Sequence, residues 1–314
     1  MAVRDRPTLT RLYERVEDFV PLPGSAYILG TSVEQRSEHS TEWVARAGDT
    51  TFVRIIAQRS HEFDVDLRGI RRVGLRSGEQ LSRLVREIGR PRVYLDITGL
   101  GHHIWAPLLR ALLSTSAEVL AVYVEPSEYR FSKTPTEGEI FDLSEAIAGI
   151  APLPGFAALT DSDNDNVCFV ALLGFEGTRF AYVLETVQPP GGKVIPVVGV
   201  PGFRPEYPFH AYQGNRSALL ETRSWRNVRF ATANCPFSAV YVLQDIAAAY
   251  SGNRLKIAPI GTKPHALGAI LFALSNPDPV ELVYDHPVRA ARRTSGAARL
   301  LVYHLSAFAR PSLP

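Results

Sequence analysis

Strand, glycine turn, apolar helix, strand: this order occurs twice along the chain, and no other feature constrains the fold as much. Residues 92–126, "RVYLDITGLGHHIWAPLLRALLSTSAEVLAVYVEP", align with residues 254–287, "RLKIAPIGTKPHALGAILFALSNPDPVELVYDHP". Gly99 falls on Gly261, His103 on His265, Leu109 on Leu271, and Ala111–Leu112 on Ala273–Leu274. After a one-residue gap, the V-Y-x-x-P of 122–126 falls on that of 283–287. A glycine, a histidine and a V-Y-x-x-P repeated at nearly one offset point to an internal duplication.

The correspondence extends upstream. "GEQLSRLVREIG" (78–89) has apolar residues at Leu81, Leu84, Val85 and Ile88, the spacing of an amphipathic helix. "FSAVYVLQDIAAAYSG" (237–252) holds the same place before the second copy. Each half opens on an apolar strand that runs into glycine (26–37 and 168–180), and a second apolar run follows at 50–57 and 193–200. Each half therefore reads β-α-β-insert-α-β-α-β. Continuous apolar strands alternating with helices make parallel sheets covered on both faces. The expected fold is α/β, two tandem Rossmann-like parallel-sheet halves related by internal duplication.

The expected division is an N-terminal segment 1–25, a first half 26–126, a linker 127–166, and a second half 167–314 carrying an insert at 201–236. In the first half, alternation in "FDVDLRGIRRVGLR" predicts a hairpin within 58–77. In the linker, 139–149 is a short helix candidate, and Pro, Gly, Asp and Asn mark the rest as solvated. "DSDNDN" lacks the sixth-position glycine and final glutamate of a calcium loop.

With 34 basic and 32 acidic residues the formal net charge is +2, which excludes general coating of nucleic acid and leaves local basic patches open. Residues 1–24 are charged throughout and unlike a signal peptide, and no window reaches the length of a membrane span. A cytoplasmic chain without membrane contact is expected. The two cysteines, Cys168 and Cys235, lie beside apolar residues and read as buried reduced thiols.

Parallel sheets bind ligands beyond the carboxyl ends of their strands. Four loops fall there: "GTSVEQR" (30–36), "TGLGHH" (98–103), "GFEGTR" (174–179) and "GTKPH" (261–265). Each glycine can serve a tight turn alone. Together the loops offer Thr31, Ser32, Arg36, Thr98, Gly99, His102, Thr178, Arg179, Gly261, Thr262 and Lys263, a set of hydroxyls, cations and helix starts suited to phosphate. Nucleotide-triphosphatase, dinucleotide, nucleophile-elbow and zinc motifs are absent, so neither a metal nor a cofactor is implied. His102 is the candidate acid or base, and Asp96 sits near the end of a buried strand as an orienting group. In the insert, Arg216, Arg223, Trp225 and Arg226 interleave cations with an aromatic, a pattern suited to direct nucleic-acid contact and equally to a surface hairpin.

A Rossmann-like unit with a hydroxyl-bearing loop after its first strand and "GTKP" late in the unit resembles the CARF domains, sensors of cyclic oligonucleotides in prokaryotic immunity. The tandem halves resemble the related SAVED domains, in which two such units share one chain. The resemblance spans roughly 26–126 and 168–290, and Gly261-Thr262-Lys263 is its motif. "TGLGHH" departs from it by lacking a lysine. It implies a phosphate-bearing nucleotide held between the halves and a sensor or scaffold role in antiviral defence. It also implies a separate effector chain. Two rivals remain open: a phosphodiesterase or transferase using His102 with Lys263, and a ligand-free interaction scaffold.

Overall fold

The computed structural model describes residues 9–30, 34–136, 138–141, 143–157, 166–290 and 293–309. The chain forms two compact units, one built from the part up to Tyr129 together with Thr294 onward, the other from Arg130–Arg293. The class is α/β.

The first unit runs β1 (Thr10–Tyr13), β2 (Ala26–Gly30), a 3-10 helix (Gln35–Glu42), β3 (Thr51–Gln58), β4 (Glu62–Asp66), β5 (Ile70–Gly74), α1 (Gly78–Ile88), β6 (Arg92–Asp96), α2 (His102–Leu113) and β7 (Glu118–Val124). The sheet order is β1, Leu300–His304, β7, β6, β2, β3, β4, β5. Strands β7, β6, β2 and β3 are parallel. The β4–β5 hairpin pairs Glu62 with Gly74 through Asp66 with Ile70, as the alternation at 58–77 predicts. Helix α1 starts where the Ser77 hydroxyl accepts from Gln80 N–H and stops at left-handed Gly89. It buries Leu81, Leu84, Val85 and Ile88, the four residues that carry the helical spacing.

The second unit runs β8 (Val167–Leu172), α3 (Gly177–Val187), β9 (Val194–Gly199), α4 (Tyr207–Gly214), α5 (Arg216–Glu221), β10 (Arg229–Ala231), α6 (Pro236–Ala249), β11 (Arg254–Ala258), α7 (Lys263–Ser275) and β12 (Val280–Tyr284). Its sheet order is Ala151–Pro152, β12, β11, β8, β9, β10, with the last five strands parallel. Strand β8 is buried at every position, which explains its unbroken apolar run. Helix α7 is buried from Lys263 to Ala273 and packs closely on α6, where a side chain at Gly268 would strike the Pro236 carbonyl. In the first unit β3 lies on one side of β2, with β6 and β7 on the other; in the second, β9 lies on one side of β8, with β11 and β12 on the other, and β10 adds a fifth parallel strand beyond β9.

Four expectations change. The segment before residue 26 contributes edge strand β1, and Leu300–His304 pairs with β7 and β1, so the C-terminal stretch completes the first unit rather than the second. The continuous apolar run of "LLVYH", buried from Leu300 to Tyr303, covers the flank that β7 would otherwise expose. The stretch 139–149 forms strands Glu139–Phe141 and Ser144–Ile147 in place of a helix, each paired antiparallel. The first crossover of the first unit is a 3-10 helix, since "QRSEHSTE" has too few apolar residues for an α-helical face. The insert 201–236 is two short helices, a 3-10 turn and edge strand β10 rather than a hairpin. Most of "DSDNDN" lies outside the described residues.

The repeat glycines are fixed by close approach. A side chain at Gly99 would collide with the Gly30 carbonyl oxygen, and one at Gly261 would lie 2.5 Å from the carbonyl oxygen of Leu173. Gly99→Ala and Gly261→Ala should each lower the unfolding free energy by about 1–3 kcal/mol, the range for overpacking. Gly191→Ala, which meets open space, should stay within about 0.5 kcal/mol. Denaturant titrations of the three variants test the assignment.

Candidate functional site

The carboxyl edge of each parallel sheet gathers the loops that the sequence singles out. At the first unit's edge, Arg36 is buried. Its Nε and Nη2 both meet Glu34 Oε2 at 2.7 Å, its Nη1 donates to the Val124 carbonyl, and its guanidinium lies 5.4 Å from the centre of the Tyr123 ring. Thr294 Oγ1 donates to the same carboxylate at 3.2 Å. At the second unit's edge, Arg179 makes a bidentate pair with Asp285, Nε to Oδ2 at 2.6 Å and Nη2 to Oδ1 at 2.7 Å. Its Nη1 donates to the Ile260 carbonyl at 3.0 Å. Expected to close over a ligand, both arginines instead tie the loop after the first parallel strand to the end of the last parallel strand. A buried guanidinium needs acceptors, and here the chain's own oxygens meet all three of its nitrogens.

Thr98 is fully buried, accepts from Val124 N–H at 3.0 Å and donates its own N–H to Asp96 Oδ1 at 2.8 Å. Asp96 proves to be an organiser. Its Oδ2 meets His39 Nε2 at 2.8 Å and accepts from the Tyr27 hydroxyl at 3.2 Å, while Trp43 Nε1–H donates to His39 Nδ1 at 3.3 Å. The tryptophan donor leaves Nε2 to carry the proton given to Asp96. Both ring nitrogens are then occupied, and this His–Asp pair cannot serve a substrate as a base. Burial opposes ionisation of Asp96, but the His39 and Thr98 interactions outweigh it and hold the carboxyl below its ordinary range. Burial and the Asp96 charge together push the Tyr27 phenol upward, which keeps it a donor.

His102, expected to face a ligand, is only 6% exposed, with its ring 5.4 Å from that of Trp105. His103 is the more accessible of the two. The sequence does not single out Gln58. At the end of β3 its Nε2 donates to the Gly99 carbonyl at 3.1 Å and its Oε1 accepts from Gly101 N–H at 2.7 Å, which clamps "TGLG" from both sides. The start of α3 is held similarly: Gly177 N–H donates to the Gly138 carbonyl at 3.0 Å, and Thr178 is exposed beside it.

At the start of α7, the Thr262 side chain accepts from His265 N–H at 3.2 Å and donates to the Ala233 carbonyl at 2.8 Å. Gly261 and Thr262 are half-buried, and Lys263 is 6% exposed in the first helical turn. His265 sits behind it, fully buried, with Nε2 3.1 Å from the Thr232 carbonyl. Thus Gly261, Thr262, Lys263 and Arg179 come together at the second edge, and Arg36, Thr98, Gly99 and His102 fall in the first unit. Thr31 and Ser32 lie outside the described residues. Among the described residues no three His, Cys, Asp or Glu side chains converge as a metal site, and no helix is long and apolar enough to cross a membrane. Cys168 is buried, its thiol pushed up to about 11, and Cys235 is half-buried at the start of α6. Both are free thiols.

No family model matches the chain, and no curated protein matches it. Among solved structures it is similar to a periplasmic ribose ABC transporter from Conexibacter woesei DSM 14684, at 13% identity and a TM-score of 0.27, over 81% of this chain and 69% of that one. It is similar also to CobK precorrin-6A reductase, at 15% identity and 0.25, over 85% and 90%. An N-terminal ketoreductase from a macrolactin assembly line stands at 10% and 0.23, over 86% and 71%. Similarity at this level assigns neither a ligand nor a reaction.

Two outcomes test the edge. Burial lowers His265 from its ordinary 6.5 to about 4. The unfolded chain takes up this proton below pH 6.5 while the folded chain resists until about pH 4. Stability is therefore complete above 6.5 and lost across that window, by about 3 kcal/mol in total. His265→Gln should flatten that segment in unfolding titrations at pH 4–7. Removing one partner of the Arg179–Asp285 pair, Asp285→Asn, should cost about 3–5 kcal/mol, whereas Arg179→Met with Asp285→Leu should recover much of the loss. Denaturant midpoints for the single and double variants check it.

Proposed function

We propose that the chain binds a phosphate-bearing nucleotide at the carboxyl edge of the second unit, with Lys263 as the phosphate group's partner, and acts as a binding protein rather than a catalyst. The observation that carries this reading is the position of Lys263. A lysine held 6% exposed in the first turn of a 13-residue helix adds a full charge to the positive end of the helix dipole. Two positive sources at one place favour an anion. The parallel edge beside β8 and β11, where strand order reverses, is also where open α/β sheets bind ligands. Against a catalytic role stand the burial of His102 and the full occupation of His39.

In this reading the two units descend from one duplicated unit, and the resemblance to CARF and SAVED domains gives the ligand class as a cyclic oligonucleotide. The chain would then be a sensing or scaffolding subunit in prokaryotic defence, with output from a separate effector chain.

A nucleotide panel, monitored by thermal shift and calorimetry with chromatography of what is released, tests this. One phosphate-bearing nucleotide should raise the wild-type midpoint and be recovered intact. Lys263→Met, which keeps the buried volume, should weaken its binding about 10- to 150-fold, the range for a hydrogen bond to a charged group. Converted nucleotide would replace the reading with a phosphodiesterase or transferase. Equal binding by wild type and variant would remove Lys263 from the site, and no binding by any member would leave the scaffold.

A further inference from the structure

The second unit carries a further exposed surface, along strand β10, whose residues are not those of the nucleotide site. Strand β10 is the edge of its sheet, paired through Arg229–Ala231 with β9 on one side only. The 3-10 turn Ser224–Asn227 leads into it. Along this edge Trp225 is 50% exposed and Phe230 53% exposed, and the Arg226 guanidinium lies 5.1 Å from the centre of the Trp225 ring. Arg223 and Arg229 are exposed beside them, and Arg229 Nη1 donates to the Asn227 carbonyl at 3.2 Å.

Charge narrows what could bind. Residues 216–230 hold four arginines, Arg216, Arg223, Arg226 and Arg229, against one acid, Glu221. This short stretch is more positive than the whole chain, whose formal charge is +2. Guarding an edge strand against aggregation explains exposed charge. It does not explain two large aromatics left open between the charges. Polyanions of sugar and sulfate satisfy the arginines but offer no planar π-face to stack on the two aromatic rings. A base-paired duplex offers phosphates but shields its base faces. A single strand offers both, a phosphate per nucleotide and unstacked bases.

We propose that the edge formed by Arg223, Trp225, Arg226, Arg229 and Phe230 binds single-stranded nucleic acid. Bases stack on Trp225 and Phe230, and the arginines contact the backbone. The preference is for strandedness rather than sequence, because every base presents a π-face and the arginines read phosphate.

The test is fluorescence anisotropy with a labelled mixed-sequence DNA oligomer of about 16 nucleotides, its RNA counterpart and its duplex, over a salt series. Single strands should bind more tightly than the duplex. Trp225→Ala should weaken binding about 5- to 150-fold, the range for loss of one stacked base. Arg226→Gln with Arg229→Gln should reduce the slope of log K against log salt by up to about 1.4, or about 0.7 per lost phosphate contact. Both sites are exposed, so melting midpoints should stay within a degree or two of wild type. Lys263→Met should leave this binding unchanged, which separates a failure here from a failure of the nucleotide site. Duplex bound as tightly as single strand, full competition by heparin without any effect of Trp225→Ala, or no binding at low salt would each overturn the proposal.

Discussion

A guanidinium buried at the carboxyl edge of a parallel sheet must find acceptors within the protein, and both units of this chain are organised around that requirement. Arg36 and Arg179 each follow the first parallel strand of their unit, β2 and β8, and each reaches across the sheet to the end of its last parallel strand. The acceptors differ. Arg36 uses the Val124 carbonyl and brings its own carboxylate, Glu34, whereas Arg179 uses the Asp285 side chain. Val124 and Asp285 nonetheless occupy matching places after Tyr123 and Tyr284. The same mechanical task, joining the loop after the first parallel strand to the last parallel strand, is met by different local chemistry.

That task also explains what happens to the helix starts. A helix start at the edge of a parallel sheet offers unpaired N–H groups, and water or a ligand can take them. Here the chain supplies much of the answer itself: Gln58 Oε1 before α2, the Gly138 carbonyl at α3, and the Thr262 hydroxyl at α7. The glycines at 99 and 261 permit this closure because their loops rest directly on carbonyls at the end of the neighbouring strand. An edge so tightly packed favours stability over openness. Both α3 and α7 carry a cation in the first turn, and the one in α3, Arg179, is committed to Asp285.

Legibility followed the range of the interactions. Patterns closed within a few residues read correctly from sequence: the α1 stripe from Leu81 to Ile88, the β4–β5 hairpin, the unbroken apolar β8, and the glycine turns. What depended on distant partners did not. Arg179 and Asp285 are separated by 106 positions, Arg36 and Val124 by 88, and His39 and Asp96 by 57. A cation in a loop looks the same in sequence whether it awaits an anion or already holds one. The return of Leu300–His304 to the first unit was hidden for the same reason, since a strand's partner is chosen by sheet edges that the linear pattern does not reveal. Ser144–Ile147 and Glu139–Phe141 lack any strong period, so pairing rather than intrinsic preference made them strands.

The carboxyl edge and the β10 edge of the second unit differ in how their polar groups are satisfied. Along its carboxyl edge, buried polar groups meet one another: arginine with aspartate, threonine with carbonyl, histidine with carbonyl. Such groups specify one arrangement and resist change, because removing a partner exposes the full desolvation cost of the other. Along β10 the reverse holds. The arginines there are exposed and already hydrated, and Trp225 and Phe230 present area that water covers poorly. Binding at that edge would require little desolvation of charge and would bury apolar rings, a combination that favours fast, salt-dependent association over rigid recognition. In the proposed reading the packed edge would select its ligand by shape and charge, and the open edge would meet a polymer in many registers.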